Sequence, residues 1–254
     1  MTTADPIIIR VEEFTAGYDG NVLLNRLAFE VRRGEVFVIL GGSGCGKSTL
    51  LKHMIGLYQP MAGRIRFGDD DIVQANDLTR QAILRRFGVM YQSGALFGSM
   101  SLLENVRLPL EEFTGLDDDA RDLVALMKLD LVGLRPFAHH TPAEVSGGMQ
   151  KRAGIARAMA LDPEILFLDE PSAGLDPVTA AELDLLILRL ARNLGMTFVI
   201  VTHELASIFA IASRVIMLDK RTKGIVAEGD PKQLRDHSDN PWVRQFFNRR
   251  TEAS

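Results

Sequence analysis

The chain has 254 residues, 46% of them hydrophobic and 24% charged, with a net charge of −4 and one cysteine. That length buries a large core as one domain or two joined lobes, the mild acidity gives no strong non-specific hold on nucleic acid, and a single cysteine excludes an internal disulfide and fits a reducing compartment. No apolar run is long enough to span a bilayer, and residues 1–13 lack the basic region of a secretory leader, so a chain retained in the cytosol is expected.

Residues 7–35 read as an antiparallel β region, with strands at Ile7–Phe14 and Leu27–Arg33 separated by Gly17-Tyr18-Asp19-Gly20. The next run, Val36-Phe37-Val38-Ile39-Leu40, has the length and character of a buried parallel strand. It leads into Gly41-Gly42-Ser43-Gly44-Cys45-Gly46-Lys47-Ser48-Thr49, and Leu50, Leu51, Met54 and Ile55 then repeat at helical spacing. The nine residues fit G-x-x-x-x-G-K-[ST], the phosphate-binding P-loop, in the strand–loop–helix setting that it needs. Glycines let backbone N–H groups surround phosphate oxygens, and the helix N-terminus adds partial positive charge. In that motif Lys47 reaches the β- and γ-phosphates and the Ser48 hydroxyl ligates Mg²⁺. Cys45 reads as small filler inside the loop.

Two further strands are predicted at Gly63–Phe67 and at Phe87–Tyr91, with Asp69-Asp70-Asp71 as a solvated turn between them. Gln92 follows the second strand. Its amide can ligate Mg²⁺ or orient water, although glutamine is common at strand ends. Residues of about 100–160 are helix-rich and read as a second lobe, with Asp117-Asp118-Asp119 starting one helix. His139-His140 are neighbours in a loop and cannot share a helical face, which argues against a metal site. Ser146-Gly147-Gly148 precedes a helix from Ala153 to Leu161 and has two readings: an ordinary N-cap, or a second anion site made of N–H groups, a hydroxyl and a dipole end. One nucleotide already has its P-loop, so the second reading implies a neighbouring subunit.

Strands at Ile165–Leu168, Thr197–Val201 and Val215–Leu218 alternate with helices near 178–193 and 204–212, the pattern of a parallel sheet. The first ends in Asp169-Glu170. These carboxylates either cap the turn at Pro171 or, beside a P-loop, divide into a Mg²⁺ ligand (Asp169) and a general base for water (Glu170). The second ends in His203, which is either structural or a contact to the γ-phosphate or attacking water. Trp242, Val243, Phe246 and Phe247 share a helical face, for packing on the protein's own core or for a dimer or membrane contact.

In this order the elements resemble the nucleotide-binding subunit of ATP-binding-cassette (ABC) transporters, over residues of about 7–235. The resemblance implies an α/β fold: a RecA-like P-loop NTPase core with a parallel sheet, an antiparallel β subdomain and an inserted helical subdomain. It implies one nucleotide-binding domain over 1–254, with the catalytic lobe at 1–98 and 162–235, the helical lobe at 99–161 and a C-terminal extension at 236–254. By this likeness Tyr18 is the aromatic that stacks on adenine, residues 41–49 are the Walker A loop and Gln92 is the Q-loop. Ser146-Gly147-Gly148-Met149-Gln150 is the signature, Asp169 and Glu170 are the Walker B aspartate and catalytic glutamate, Gly174-Leu175-Asp176 is the D-loop and His203 the switch histidine. Met149 departs from the glutamine of many members; the backbone and Ser146 carry most of the phosphate binding, so function is expected to survive. ATP and Mg²⁺ are the implied cofactors.

Gln92-Ser93-Gly94-Ala95-Leu96-Phe97, the SGGM signature and Asp239–Phe246 look more narrowly like the ATPase of the Mla and Mce-associated phospholipid transporters. That likeness implies a homodimer of ATPase subunits, an integral-membrane permease, a periplasmic Mce-domain protein and in some systems a STAS-domain protein. It implies a peripheral location on the cytoplasmic side of a bacterial inner membrane. Competing readings are transport of an amino acid or other small solute, a soluble ABC ATPase of DNA repair or the ribosome, and a non-catalytic nucleotide-binding regulator. The absence of heptads and of a second cassette speaks against the repair and ribosomal types, and the intact Glu170 and His203 speak against the regulator.

Overall fold

The computed structural model describes residues 6–92 and 94–248. The first five residues of the leader reading, Ser93 of the Gln92–Phe97 motif and the Arg249-Arg250 pair lie outside the described residues. Alternating apolar residues near the N-terminus form two long strands, β1 (Ile7–Tyr18) and β2 (Asn21–Arg32), and the apolar run after them is β3 (Val36–Gly41). The expected break narrows to Asp19-Gly20, because Gly17 and Tyr18 still pair with Val22 and Asn21. β1 also pairs antiparallel with β4 (Ala62–Phe67). The acidic run is more than a turn: Asp70–Asp71 form a short strand, β5, which completes the sheet order β2-β1-β4-β5.

The second sheet adds β6 (Phe87–Met90), β7 (Ile165–Asp169), β8 (Thr197–Val201), β9 (Arg214–Asp219) and β10 (Gly224–Gly229) to β3, in the order β10-β9-β3-β8-β7-β6. All its neighbours run parallel except β10, which returns antiparallel along β9 at the edge. Side chains of its central strands alternate between two cores. Val36, Val38, Leu40, Leu166, Leu168, Phe198, Ile200, Val215 and Met217 face one, with the helices; Phe37, Ile39, Ile165, Phe167, Val199, Val201, Ile216 and Leu218 face the other, with the antiparallel sheet. Both faces are covered, so these strands read as continuous apolar runs rather than alternating ones.

The helices are α1 (Lys47–Met54), α2 (Asp77–Leu84), α3 (Leu102–Phe113), α4 (Asp118–Leu131), α5 (Gly147–Ala158), α6 (Pro177–Leu194), α7 (Leu205–Ile211), α8 (Pro231–His237) and α9 (Pro241–Asn248). Several of their starts are chemically marked. Ser101 and Glu104 form a capping box on α3, and Asp117 caps α4 by accepting from the Ala120 N–H, so the acidic run does start a helix. On α9, Val243 and Phe247 are buried and Trp242 and Phe246 pack partly against the same core, with the rings of Phe209 and Phe247 5.7 Å apart. The apolar face of this helix is spent on the protein's own interior. No helix among the described residues is long and apolar enough to cross a membrane.

Asp184 on α6 is a buried acid away from the phosphate loop. Burial pushes its carboxyl above the ordinary aspartate range, and the Ser207 hydroxyl pulls it partly back. The native chain then binds this proton more readily than the unfolded chain. Stability therefore falls as pH rises from about 4 through the raised value, and stays reduced at neutral pH. Asp184→Asn should raise Tm at pH 7 by about 2–4 °C, with the gain vanishing near pH 4. A thermal melt showing an unchanged or lower Tm at pH 7 would contradict it.

Candidate active site

β3 delivers the chain to its loop at the C-terminal end of the parallel sheet, and α1 leaves from that loop. Gly46 sits at the N-terminus of α1 with φ 101°, and a Cβ there would lie 2.8 Å from Leu24 Cδ2. A side chain is therefore excluded by both backbone and space. No side chain caps α1, and its first turn holds no acid, so its leading N–H groups are left for an anion. Lys47 Nζ donates to the carbonyls of Gly41 and Gly42 at 2.9 and 3.2 Å, curled over the loop Gly41–Thr49. Ser48 opens α1 beside it. The Cys45 thiol is buried and pushed up by that burial, which agrees with a filling role. Tyr18 lies 49% exposed at the end of β1, its hydroxyl 3.3 Å from Thr49 Oγ1 and its ring edge-on to Tyr58 at 6.3 Å.

β7 lies two strands from β3 and ends in the acid pair. Burial, then the charge of Glu170, push the Asp169 carboxyl up, while Lys52, Lys47 and Lys151 oppose the rise. The lysine of the phosphate loop and the acid of β7 thus share one field. Asp169 Oδ1 is buried without a hydrogen-bond partner. Glu170 holds φ 47°, in the left-handed region that a glutamate seldom adopts, with its N–H donating to Val201 O at 2.8 Å. Its Oε1 is 2.7 Å from His203 Nδ1 at the end of β8, and its Oε2 is buried without a partner. The two residues that the sequence left between structural and chemical readings are therefore bonded to each other.

The remaining residues divide. Gln92 is exposed just after β6, and Lys151 Nζ from α5 donates to its backbone carbonyl. Ser146 caps α5 by accepting from the Met149 N–H at 3.3 Å, and Gly147 and Gly148 form the first helical turn rather than a turn before it. The helix thus begins well before Ala153, because the serine cap tolerates two glycines at its start. A Cβ on Gly148 would lie 2.3 Å from Thr179 Cγ2, so this helix start abuts α6. Asp176 caps α6, accepting from the N–H groups of Val178 and Thr179 and from Thr179 Oγ1 at 2.5 Å, bonds that hold its carboxyl below the ordinary range. No hydrogen bond among the described residues joins Ser146–Met149 to residues 41–49.

A divalent cation fits these donors. Asp169 offers an orphaned buried oxygen whose charge is costly where it stands, Ser48 a hydroxyl, and Gln92 an amide oxygen. Among the described residues no group of three or more His, Cys, Asp or Glu gathers as a self-sufficient metal site. One carboxylate plus neutral oxygens suits Mg²⁺, which keeps waters and takes further ligands from substrate phosphates.

Residues 24–173 match the ABC transporter family. This chain belongs to that family. It is 41% identical over 245 residues to a probable ribonucleotide transport ATP-binding protein, mkl, of Mycobacterium leprae, covering 96% of this chain and 70% of that protein. It is 38% identical over 248 residues to the intermembrane phospholipid transport system ATP-binding protein MlaF of Escherichia coli K12, covering 97% of this chain and 90% of that protein. A solved dimer of the ATP-binding cassette MJ0796, in a post-hydrolysis state bound to ADP and Pi, superposes with a TM-score of 0.77 at 29% identity, over 87% of this chain and 98% of that one. As an ABC ATPase, the chain is an ATP-hydrolysing subunit with the α/β P-loop NTPase fold.

Sequence reasoning about this ABC ATPase passed over Lys52, Lys151 and Arg157. Lys52 and Lys151 act on Asp169 through space, and Arg157 donates to the carbonyls of Gly94 and Ala95 at 2.9 and 2.7 Å. Lys151, Gly154 and Arg157 recur every three residues, a periodicity that was available in the sequence but points nowhere until the helix has a neighbour.

Proposed function

We propose that two copies of this chain pair head to tail and hydrolyse ATP between them, driving phospholipid movement between inner and outer membranes through an integral-membrane permease. The Glu170–His203 pair, beside the Asp169 carboxyl on which Lys47 acts, carries the catalytic part of this reading. Each ATP lies between the Gly41–Thr49 loop of one copy and the Ser146-Gly147-Gly148-Met149 segment of the other, with Tyr18 against adenine and Asp176 near the junction. Gly148, in the first turn of the helix that Ser146 caps, abuts Thr179 of α6, and no hydrogen bond among the described residues joins this segment to residues 41–49, which supports the need for a second copy. Glu170 accepts the proton of the attacking water through the oxygen not taken by His203. His203 holds that carboxylate and faces the γ-phosphate, and Lys47 offsets charge on the β- and γ-phosphates. Ser48, Asp169 and Gln92 would hold Mg²⁺, which neutralises phosphate charge when bound. Release of phosphate removes the bridge between the copies and lets them part.

We read residues 1–98 and 162–235 as the catalytic lobe, 99–161 as the helical lobe that meets the permease, and 236–254 as an extension. The name of the Escherichia coli relative supports a phospholipid cargo, and the Gln92–Phe97, SGGM and Asp239–Phe246 likenesses extend the reading to a periplasmic Mce-domain partner, in some systems a STAS-domain partner, and a place on the cytoplasmic face of the inner membrane. The name of the Mycobacterium leprae relative favours the second reading, a soluble solute such as a ribonucleotide. Purification of the intact membrane complex through a tag on this chain, with mass spectrometry of bound lipid, separates them. The expected result is co-purified phospholipid and stimulation of ATPase by phospholipid. A complex free of phospholipid and stimulated by a ribonucleotide would overturn the lipid reading.

A further inference from the structure

The face of α5 turned toward the loop after β6 carries two cations whose hydrogen bonds go to backbone. Lys151 Nζ donates to Gln92 O; Arg157 donates to Gly94 O and Ala95 O. Between them Gly154 allows contact so close that a Cβ there would lie 3.3 Å from Gly94 Cα. The three residues recur at the spacing that lines one helical face. Lys151 is only 7% exposed. Among the described residues neither cation forms a salt bridge, in a chain where surface ion pairs are plentiful. A buried cation satisfied mainly by carbonyls is a costly arrangement. It is not needed to close the core, which is apolar here: Ala153, Ile155 and Ala156 of the same helix are fully buried in it. The carbonyls that the two cations secure are that of Gln92, the residue proposed to ligate Mg²⁺, and those of Gly94 and Ala95 after it. The same helix begins at Ser146, the segment proposed to grip the partner's ATP. Burial pushes Lys151 down, and the charges of Glu170 and Asp169 push it back up, which places it within their reach.

We propose that Lys151 and Arg157 are positioning residues that fasten the carbonyls of Gln92, Gly94 and Ala95 to α5, so that a chain's own metal-side glutamine and the signature it presents to its partner move as one piece. This rests on the shared-site reading above. Filling of one ATP site then shifts α5 and resets Gln92 in the other site, and hydrolysis by the pair is cooperative. Lys151→Met keeps the bulk of the side chain and removes the donor; Lys151→Arg keeps the donor.

The test uses the full chain in solution and reads four quantities: binding of a fluorescent ATP analogue, kcat, the Hill coefficient for ATP, and hydrogen exchange at the amides of Gly94–Phe97. Wild type is expected to show a Hill coefficient clearly above 1. Lys151→Met should bind the analogue within about threefold of wild type, lose kcat by about tenfold or more, fall to a Hill coefficient near 1, and exchange faster at Gly94–Phe97 with the central strands unchanged. Lys151→Arg should recover most of the kcat. A general packing defect would not produce that rescue, nor confine the exchange to one loop. Wild-type kcat and cooperativity in Lys151→Met, a non-cooperative wild type, or an Arg variant no better than Met would each overturn the coupling while leaving the nucleotide site intact. A wild-type chain that fails to bind the analogue would instead remove the shared-site reading, and this inference with it.

Discussion

Glu170→Gln is expected to lower kcat by about 10³-fold, the middle of the range for loss of a general base and about 4 kcal/mol of barrier, while nucleotide binding persists. The substitution changes little in shape. The amide oxygen can still accept from His203 Nδ1, which lies 2.7 Å from Glu170 Oε1. What disappears is the second carboxylate oxygen, the buried Oε2 that has no partner within the chain. An amide nitrogen there donates and cannot take a proton from water. Since hydrolysis is what dissolves the proposed pair, the variant should accumulate as an ATP-bound dimer. Light scattering with and without ATP, beside a phosphate-release assay, measures both effects. Native turnover in this variant would deprive Glu170 of its role. A monomer in saturating ATP would count against the shared site.

Lys47→Ala is expected to weaken ATP binding by about 10–100-fold, the equivalent of one charge-assisted contact worth about 1.5–3 kcal/mol, and to lower turnover at least as much. The ammonium group now bonds to Gly41 O and Gly42 O at 2.9 and 3.2 Å. Those carbonyls hold it across the loop, so little rearrangement is needed to reach a phosphate. Its removal also takes away one of the charges that oppose the rise of the Asp169 carboxyl, and that carboxyl should then rise further. Titration of the variant with a fluorescent ATP analogue checks the affinity. Unchanged binding and kinetics would remove the assignment of Gly41–Thr49 as the phosphate loop.

Residues whose signal is local were legible in the sequence. The glycines and Lys47 announce a phosphate loop by spacing alone, and β3, β7, β8 and β9 announce themselves as buried runs because both of their faces are covered. β10 did not. Ile225, Val226 and Ala227 are only half-buried on an edge strand, so the run is short and its antiparallel return carries no pattern of its own. α2 was missed for a related reason: among its residues only Ile83 is buried, and its start is marked by Asn76 rather than by an apolar stripe. The Glu170–His203 bond joins residues 33 apart in the chain, and no spacing rule reaches across two strand ends. The Lys151 contact to Gln92 spans 59 residues and is a property of the fold alone.

The two-sided apolar character of β7 also bears on how its register is kept. In a strand with one wet face, a slip by one position strands greasy side chains in water, and that penalty guards the alignment. Here Ile165, Leu166, Phe167 and Leu168 find an oily environment on either side. Within Ile165–Leu168 volume and shape discriminate, chiefly by the bulk of Phe167 against Phe67 and Phe87, and at the strand's end a slip would drive the Asp169 carboxylate into the fully buried place of Leu168. A slip would set Glu170 where Asp169 belongs, exchanging proton acceptor and cation holder at a single stroke. Aromatic crowding beneath the mouth of the sheet, together with the cost of burying Asp169, thus acts as the ruler by which the two acids are told apart.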